Sequence, residues 1–255
     1  MMEQSRSAPD KATVSPGETD PAFFPLRRLA GLLAESRSVW KRHWRWMAVA
    51  TGIVFLAALG LRPFDAAWME LSIAGEHPAL DGLAKGLSRW GEFHLAPFIL
   101  FGMLLLGGWI TRRRAAIYAV CSSFLGGASA GIAVMVAKVV FGRPRPYTHA
   151  VDGFYWFKFG HDWASFPSGH TAHCFGMAVG LSMALPWTWP FTLLAAGAVA
   201  WSRYQLDRHY PTDILMGLWI GVAAGLVFGL AARRCLGSSK PGTCSVSAAS
   251  PPLSK

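Results

Sequence analysis

The chain has 255 residues, of which 53% are hydrophobic and only 15% charged, with 12 Trp and a formal net charge of +10. A soluble domain carries about 25% charged residues, so this shortfall, with several long apolar runs, excludes an ordinary soluble domain and points to a polytopic membrane protein. The positive charge is no sign of nucleic-acid binding, because the basic residues flank apolar runs where the positive-inside bias puts them.

In chain order, residues 1–25 are rich in Ser, Pro, Asp and Glu without periodicity, and are expected to form a disordered cytoplasmic tail. Leu26, Leu29, Leu32 and Leu33 then recur at helical spacing among Arg27, Arg28, Arg37, Lys41, Arg42 and Arg45, with Trp40, Trp44 and Trp46 behind them. Residues 26–46 therefore read as a basic amphipathic helix lying in the headgroup layer. A first span over 47–61 ends at Arg62-Pro63. No small-residue cleavage site follows it, so the run reads as a retained anchor. Residues 64–90 are mixed and predict amphipathic helices across the outer surface.

A second span is expected over 93–110, a basic turn at Arg112-Arg113-Arg114, and a third span over 115–137. The run Gly126-Gly127-Ala128-Ser129-Ala130-Gly131 offers small faces for close helix packing. Further spans are expected at 170–185, 191–201 and 214–232, followed by Arg233-Arg234 and a disordered tail over 235–255. The fold class is all-α: a bundle of about six transmembrane helices over residues 47–234, with the polar segments considered next in its half at 115–232. Placing Lys41 to Arg45, Arg112 to Arg114 and Arg233-Arg234 in the cytoplasm puts both termini there. The segments 138–169 and 202–213 then share the opposite, periplasmic face of an inner or plasma membrane. The four cysteines show neither metal-ligand spacing nor a disulfide framework.

Three polar islands on that face carry the chemistry. Lys138 and Arg145 lie in the first and Arg203 in the third. Arg forks bind phosphate oxygens bidentately and Lys supplies a point charge, although each alone is equally suited to snorkelling. Pro167-Ser168-Gly169-His170 opens a helix: Ser168 is a good N-cap, Gly169 lets an anion approach the backbone, and the free N–H groups favour negative charge. His170 is placed to protonate a leaving alkoxide. His209 and Asp213, four apart with Pro211 suited to the first helical turn, can meet, so that the carboxylate fixes the imidazole tautomer and raises its basicity. The remaining histidines (His43, His77, His94, His149, His161 and His173) read as surface or interfacial. No carboxylate cluster offers a metal cage.

The three islands together resemble the signature of the type 2 phosphatidic-acid phosphatase and vanadium-haloperoxidase superfamily: Lys-x6-Arg-Pro, then Pro-Ser-Gly-His, then Ser-Arg-x5-His-x3-Asp. Here these read Lys138 to Arg145-Pro146, Pro167 to His170, and Ser202-Arg203 to His209 to Asp213, with each position filled. The resemblance implies that His209 attacks phosphorus to form a phosphohistidine, that Asp213 orients it, and that His170 protonates the leaving group and then activates water. It implies that Lys138, Arg145, Ser168, Gly169 and Arg203 hold the phosphoryl oxygens, with no metal and no cofactor. The implied substrate is a membrane lipid phosphate or pyrophosphate: phosphatidic acid, phosphatidylglycerol phosphate, undecaprenyl pyrophosphate or a lipid A phosphate. Arg143, Asp207 and Arg208 lie outside the signature. A phosphotransferase on the same scaffold and a non-catalytic lipid- or anion-binding membrane protein are the competing readings. A haloperoxidase is disfavoured, because the resembling enzymes of that class are soluble. The aromatic loop from Tyr147 to Phe166 reads either as the headgroup entrance or as an interfacial belt.

Overall fold

The computed structural model describes residues 25–72, 77–92, 102, 106 and 114–238. Among these, every regular element is a helix: α1 (Pro25–Leu61), α2 (Asp65–Glu70), α3 (Pro78–Trp90), α4 (Arg114–Phe141), α5 (Gly169–Ala184), α6 (Trp189–Gln205) and α7 (Pro211–Gly237). Residues 1–24, all of the expected second span except residues 102 and 106, Arg112, Arg113 and residues 239–255 lie outside the described residues; residues 235–237, expected to open the disordered tail, instead continue the last helix. Among the described residues, three stretches are long and apolar enough to cross a membrane: Arg28–Glu70, Arg114–Thr148 and Pro211–Gly237. Helices α5 and α6, with 16 and 17 residues, are each roughly 25 Å long at the usual rise per residue.

The interfacial helix expected at 26–46 and the span expected at 47–61 are one continuous 37-residue helix. The reason lies in its inward stripe. Arg28, Leu32, Glu35, Ser36 and Val39 are all buried, spaced as one face of a helix. Leu32 and Val39 pack with Ile117, Tyr118 and Cys121 of α4 and with Val227 and Ala231 of α7. Glu35 receives Arg234 Nη1 at 2.9 Å. The N-terminal half of α1 is thus docked on the bundle, while its outer face keeps Arg37, Lys41, Arg42 and Arg45 exposed. Pro63 stops the helix and starts a 3₁₀ turn, Arg62–Phe64, because proline fixes φ and donates no hydrogen bond.

Helices α4, α5 and α7 form the centre through backbone-to-backbone contact. A Cβ on Gly176 would lie 2.6 Å from the Gly126 carbonyl oxygen, and one on Gly221 would lie 2.3 Å from that of Ala172. Only hydrogen fits at either position, as in small-residue packing between membrane helices. Ser122 Oγ donates to the Gly180 carbonyl at 2.8 Å across the same contact. This close triple packing brings the C-terminal end of α4 beside the N-terminal ends of α5 and α7. The Pro186–Thr188 turn reverses the chain, and α6 returns to the same end against α5 and α3. Lys138, Gly169, Arg203 and Asp213 therefore meet at one end of the bundle. Cys235 is disulfide-bonded, where the sequence shows no disulfide framework. Cys121 and Cys174 are free.

Candidate active site

His209 lies in the short connection between α6 and α7. Leaving α6, the chain folds back on itself: Arg208 N–H and His209 N–H both donate to the Arg203 carbonyl, at 3.0 and 3.3 Å, and Asp207 takes a left-handed φ of 50°. This fold-back turns His209 inward, where it is 1% exposed. Its Nδ1 is 2.7 Å from the Ser165 carbonyl oxygen. A carbonyl only accepts, so Nδ1 carries the proton and Nε2 keeps its lone pair. Burial pushes the His209 pKa down to about 3 against the pull of Asp213, so the ring is neutral at neutral pH. That is the state a nucleophilic imidazole needs.

Asp213 does not hold His209 directly. Its Oδ2 is 3.6 Å from His209 Nδ1, beyond hydrogen-bond distance. That oxygen instead accepts Ser165 Oγ at 2.6 Å and the Tyr210 N–H at 2.9 Å, while Oδ1 accepts Arg143 Nη1 at 2.7 Å. The carboxylate thus fixes Ser165, and the carbonyl of Ser165 fixes the imidazole. Sequence spacing brought His209 and Asp213 together but gave no hint of Ser165 between them.

The cations gather around this imidazole. Lys138 Nζ donates to the Ala164 carbonyl at 2.5 Å. Arg145 Nε donates to the His161 carbonyl at 2.9 Å, and its backbone N–H to that of Asp162 at 2.9 Å. Arg203 Nη1 donates to Ser88 Oγ of α3. Lys138, Arg145, Arg203, His170 and His209 all lie within electrostatic reach of one another or of a shared neighbour. Three of their nitrogens, Arg145 Nη1, Arg203 Nε and His170 Nε2, are buried and make no hydrogen bond. A buried unpaired donor is costly, and three on like-charged or basic side chains fit an oxyanion with several acceptor oxygens.

Gly169 opens α5 beside Lys138, whose Cε would lie 3.7 Å from a Cβ built there. Ser168 occupies the N-cap but makes no side-chain cap bond. Its Oγ shares a 2.9 Å hydrogen bond with Thr171 Oγ1, and its backbone N–H donates to the Asp213 carbonyl. All eight site residues expected from sequence thus stand at one end of the bundle. His173, expected at a surface, is buried one turn after His170, with Nδ1 3.0 Å from the Gly169 carbonyl.

Arg143 was not expected here. It is 0% exposed. It pairs with Asp213 at 2.7 Å, with Asp65 of α2 at 2.8 Å and with Asp152 at 2.8 Å, and donates to Thr212 Oγ1 at 2.9 Å. Thr212 Oγ1 donates in turn to Asp65. Arg62 joins Asp152 at 2.8 Å. The hub ties the α1–α2 corner and the 142–168 loop to the start of α7, beneath the site. Arg143 stands two residues before Arg145 in a Gly-Arg-Pro-Arg-Pro run, which is its one sequence signal. Nothing local marks Asp65 or Asp152. The aromatic loop divides: Phe154 packs among Phe141, Phe166 and Trp156, whereas Phe157 and Phe159 are exposed.

Residues 116–235 match the PAP2 superfamily. The chain is 29% identical over 156 residues to a decaprenylphosphoryl-5-phosphoribose phosphatase from two strains of Mycobacterium tuberculosis, covering 60% of this chain and 80% of the relative. Its fold is similar to that of a transmembrane PAP2-type phosphatidylglycerolphosphate phosphatase from Bacillus subtilis, with a TM-score of 0.54 and 19% identity over 77% of this chain and 94% of the other. The Aquifex aeolicus LpxE structure matches with a TM-score of 0.45 and 26% identity, over 60% of this chain and 86% of that one. Three motif islands, one converged site and a match spanning all of them agree in placing residues 116–235 of this membrane chain with the phosphatases of the PAP2 superfamily.

Proposed function

We propose that this phosphatase hydrolyses a lipid phosphate or pyrophosphate at the extracytoplasmic face, without a metal, through a phosphohistidine. The observation that carries the reading is the set of three buried, unpaired nitrogens on Arg145, Arg203 and His170 around a neutral His209. In this scheme Lys138, Arg145 and Arg203 neutralise the phosphoryl oxygens, with the first N–H groups of α5 at Gly169 adding to them. His209 Nε2 attacks phosphorus in line with the leaving oxygen. The P–O bond breaks, and its electron pair goes to that oxygen, which takes a proton from His170. Water then gives a proton to His170 and attacks the phosphohistidine, releasing inorganic phosphate and restoring His209. Asp213 acts through Ser165 by holding the imidazole at the angle of attack.

A lipid substrate suits a site at the end of a membrane bundle, and the mycobacterial relative is named for a decaprenyl lipid. The orientation follows the charge bias. The exposed Arg37, Lys41, Arg42 and Arg45 and the Arg233-Arg234 pair belong to the half of the bundle away from the site, which the positive-inside rule puts in the cytoplasm. A cysteine placed at His161 should then react with an impermeant thiol reagent in intact cells; protection there and labelling near Arg234 would reverse the orientation. The reaction is tested by phosphate release from a panel of lipid phosphates in detergent with EDTA present. Release that persists in EDTA and is lost in His209→Ala is the expected result. Release that survives in that variant removes His209 from the mechanism.

A further inference from the structure

One cation at the mouth has no part in that scheme. Arg208 follows the fold-back that positions His209, and its guanidinium lies 4.9 Å from the centre of the Tyr147 ring. Tyr147 is itself fixed on the rim. Its N–H donates to the Asp207 carbonyl, and its hydroxyl donates to Asp162 Oδ1 at 2.6 Å and stands 3.0 Å from His161 Nδ1. The backbone of the same two rim residues, His161 and Asp162, receives Arg145. The rim and the phosphate cradle therefore share one wall.

Arg208 makes no ion pair within 4 Å among the described residues. The Tyr147 hydroxyl, at the far end of the ring that carries Arg208, donates to Asp162 Oδ1. Arg208 instead stands within electrostatic reach of two like charges, Arg145 and Arg203. A half-buried guanidinium placed among others of its own sign gains when an anion sits between them, because the anion offsets their mutual repulsion. The scissile phosphoryl group already has Lys138, Arg145, Arg203 and His170.

We propose that Arg208, stacked on Tyr147, binds a second phosphate adjoining the scissile one, so that the preferred substrate is a lipid diphosphate. The inference rests on the phosphatase reading above and narrows it. His209 attacks the terminal phosphorus and the bridging P–O bond breaks. The electron pair leaves on the lipid monophosphate, which Arg208 holds, and water later releases inorganic phosphate from His209.

The test compares a prenyl diphosphate with the monophosphate of the same prenyl chain, in the full-length protein and in Arg208→Ala and Arg208→Lys. A charge-assisted contact of this kind predicts that Arg208→Ala lowers kcat/KM for the diphosphate about 10- to 100-fold. Turnover of the monophosphate should stay within about threefold, and Arg208→Lys should recover part of the loss. In parallel, inorganic pyrophosphate should inhibit the wild type more strongly than inorganic phosphate, and that preference should disappear in Arg208→Ala. Equal losses on both substrates, an unchanged diphosphate rate, or a wild type that prefers the monophosphate overturns the role of Arg208 and leaves the phosphatase reading intact. A wild type that hydrolyses neither overturns both.

Discussion

Replacing Arg143 with Met should be the most damaging single substitution beneath the site. The guanidinium holds Asp65 and Asp213, which are 1% and 0% exposed at their side chains, and the partly exposed Asp152. Met fills most of the space and removes all of the charge, so the effect reports on electrostatics more than on a cavity. Removing one partner of a buried pair costs about 3–5 kcal/mol. Here two buried carboxylates lose the same partner, although Asp213 keeps Ser165 Oγ and the Tyr210 N–H. The upper part of that range, about 4–5 kcal/mol, is expected, which corresponds to a fall in Tm of roughly 8–20 °C for a chain of this size. Thermal unfolding in detergent measures it. The double variant Asp65→Asn/Arg143→Met should be less damaged than Arg143→Met alone, because one stranded charge is gone. A fall of less than about 1 kcal/mol, or a double variant that is no milder, would refute the claim that this hub is held by charge.

Three further outcomes follow from the same geometry. Ser165→Ala keeps the carbonyl that receives His209 but loses the 2.6 Å bond to Asp213; kcat should fall about 10-fold with KM little changed, as measured with any lipid the wild type turns over. Gly221→Ala drives a Cβ to 2.3 Å from the Ala172 carbonyl oxygen; prising α5 from α7 should cost about 1–3 kcal/mol in the same unfolding assay, and a neutral result would show that the backbone contact can relax. The depressed pKa of His209, about 3 in the fold against about 6.5 in an unfolded chain, means the unfolded state binds the extra proton first. Its contribution to stability is therefore complete above about pH 6.5 and lost as pH falls toward about 3. His209→Gln should flatten that part of the stability curve, which denaturation at stepped pH reads directly.

Much of the site could be read from the chain because its chemistry is written in short motifs. Lys138, Arg145, His170, Arg203, His209 and Asp213 stand at or near helix ends, and alternating helix directions bring those ends together. Arg143 and Asp65 were missed for a physical reason. Arg143 is a partner chosen by tertiary packing, and Asp65 reaches it only because Pro63 turns the chain back over the start of α7. The 26–46 segment reads from sequence as a helix of its own because its basic outer face is conspicuous, whereas it is continuous with the span that follows. The buried stripe of Leu32, Glu35 and Val39 has no meaning until α4 and α7 are there to receive it. Ser168 likewise has the composition of a cap, yet its hydroxyl finds Thr171 instead.

The supports of Arg143 and Arg203 have a consequence for how this chain can be divided. Asp65, which pairs with Arg143, and Ser88, which receives Arg203, both precede residue 116, where the family match begins. Residues 116–235 carry all the motif groups, but two of the buttresses under them come from α2 and α3. Cut at that boundary, the segment would hold Arg143 by Asp152, Asp213 and Thr212 alone and would leave Arg203 without its hydroxyl. The motif-bearing half is therefore not a transplantable module: the N-terminal helices are part of the frame under the site, and a graft onto another membrane anchor would have to bring Asp65 and Ser88 with it.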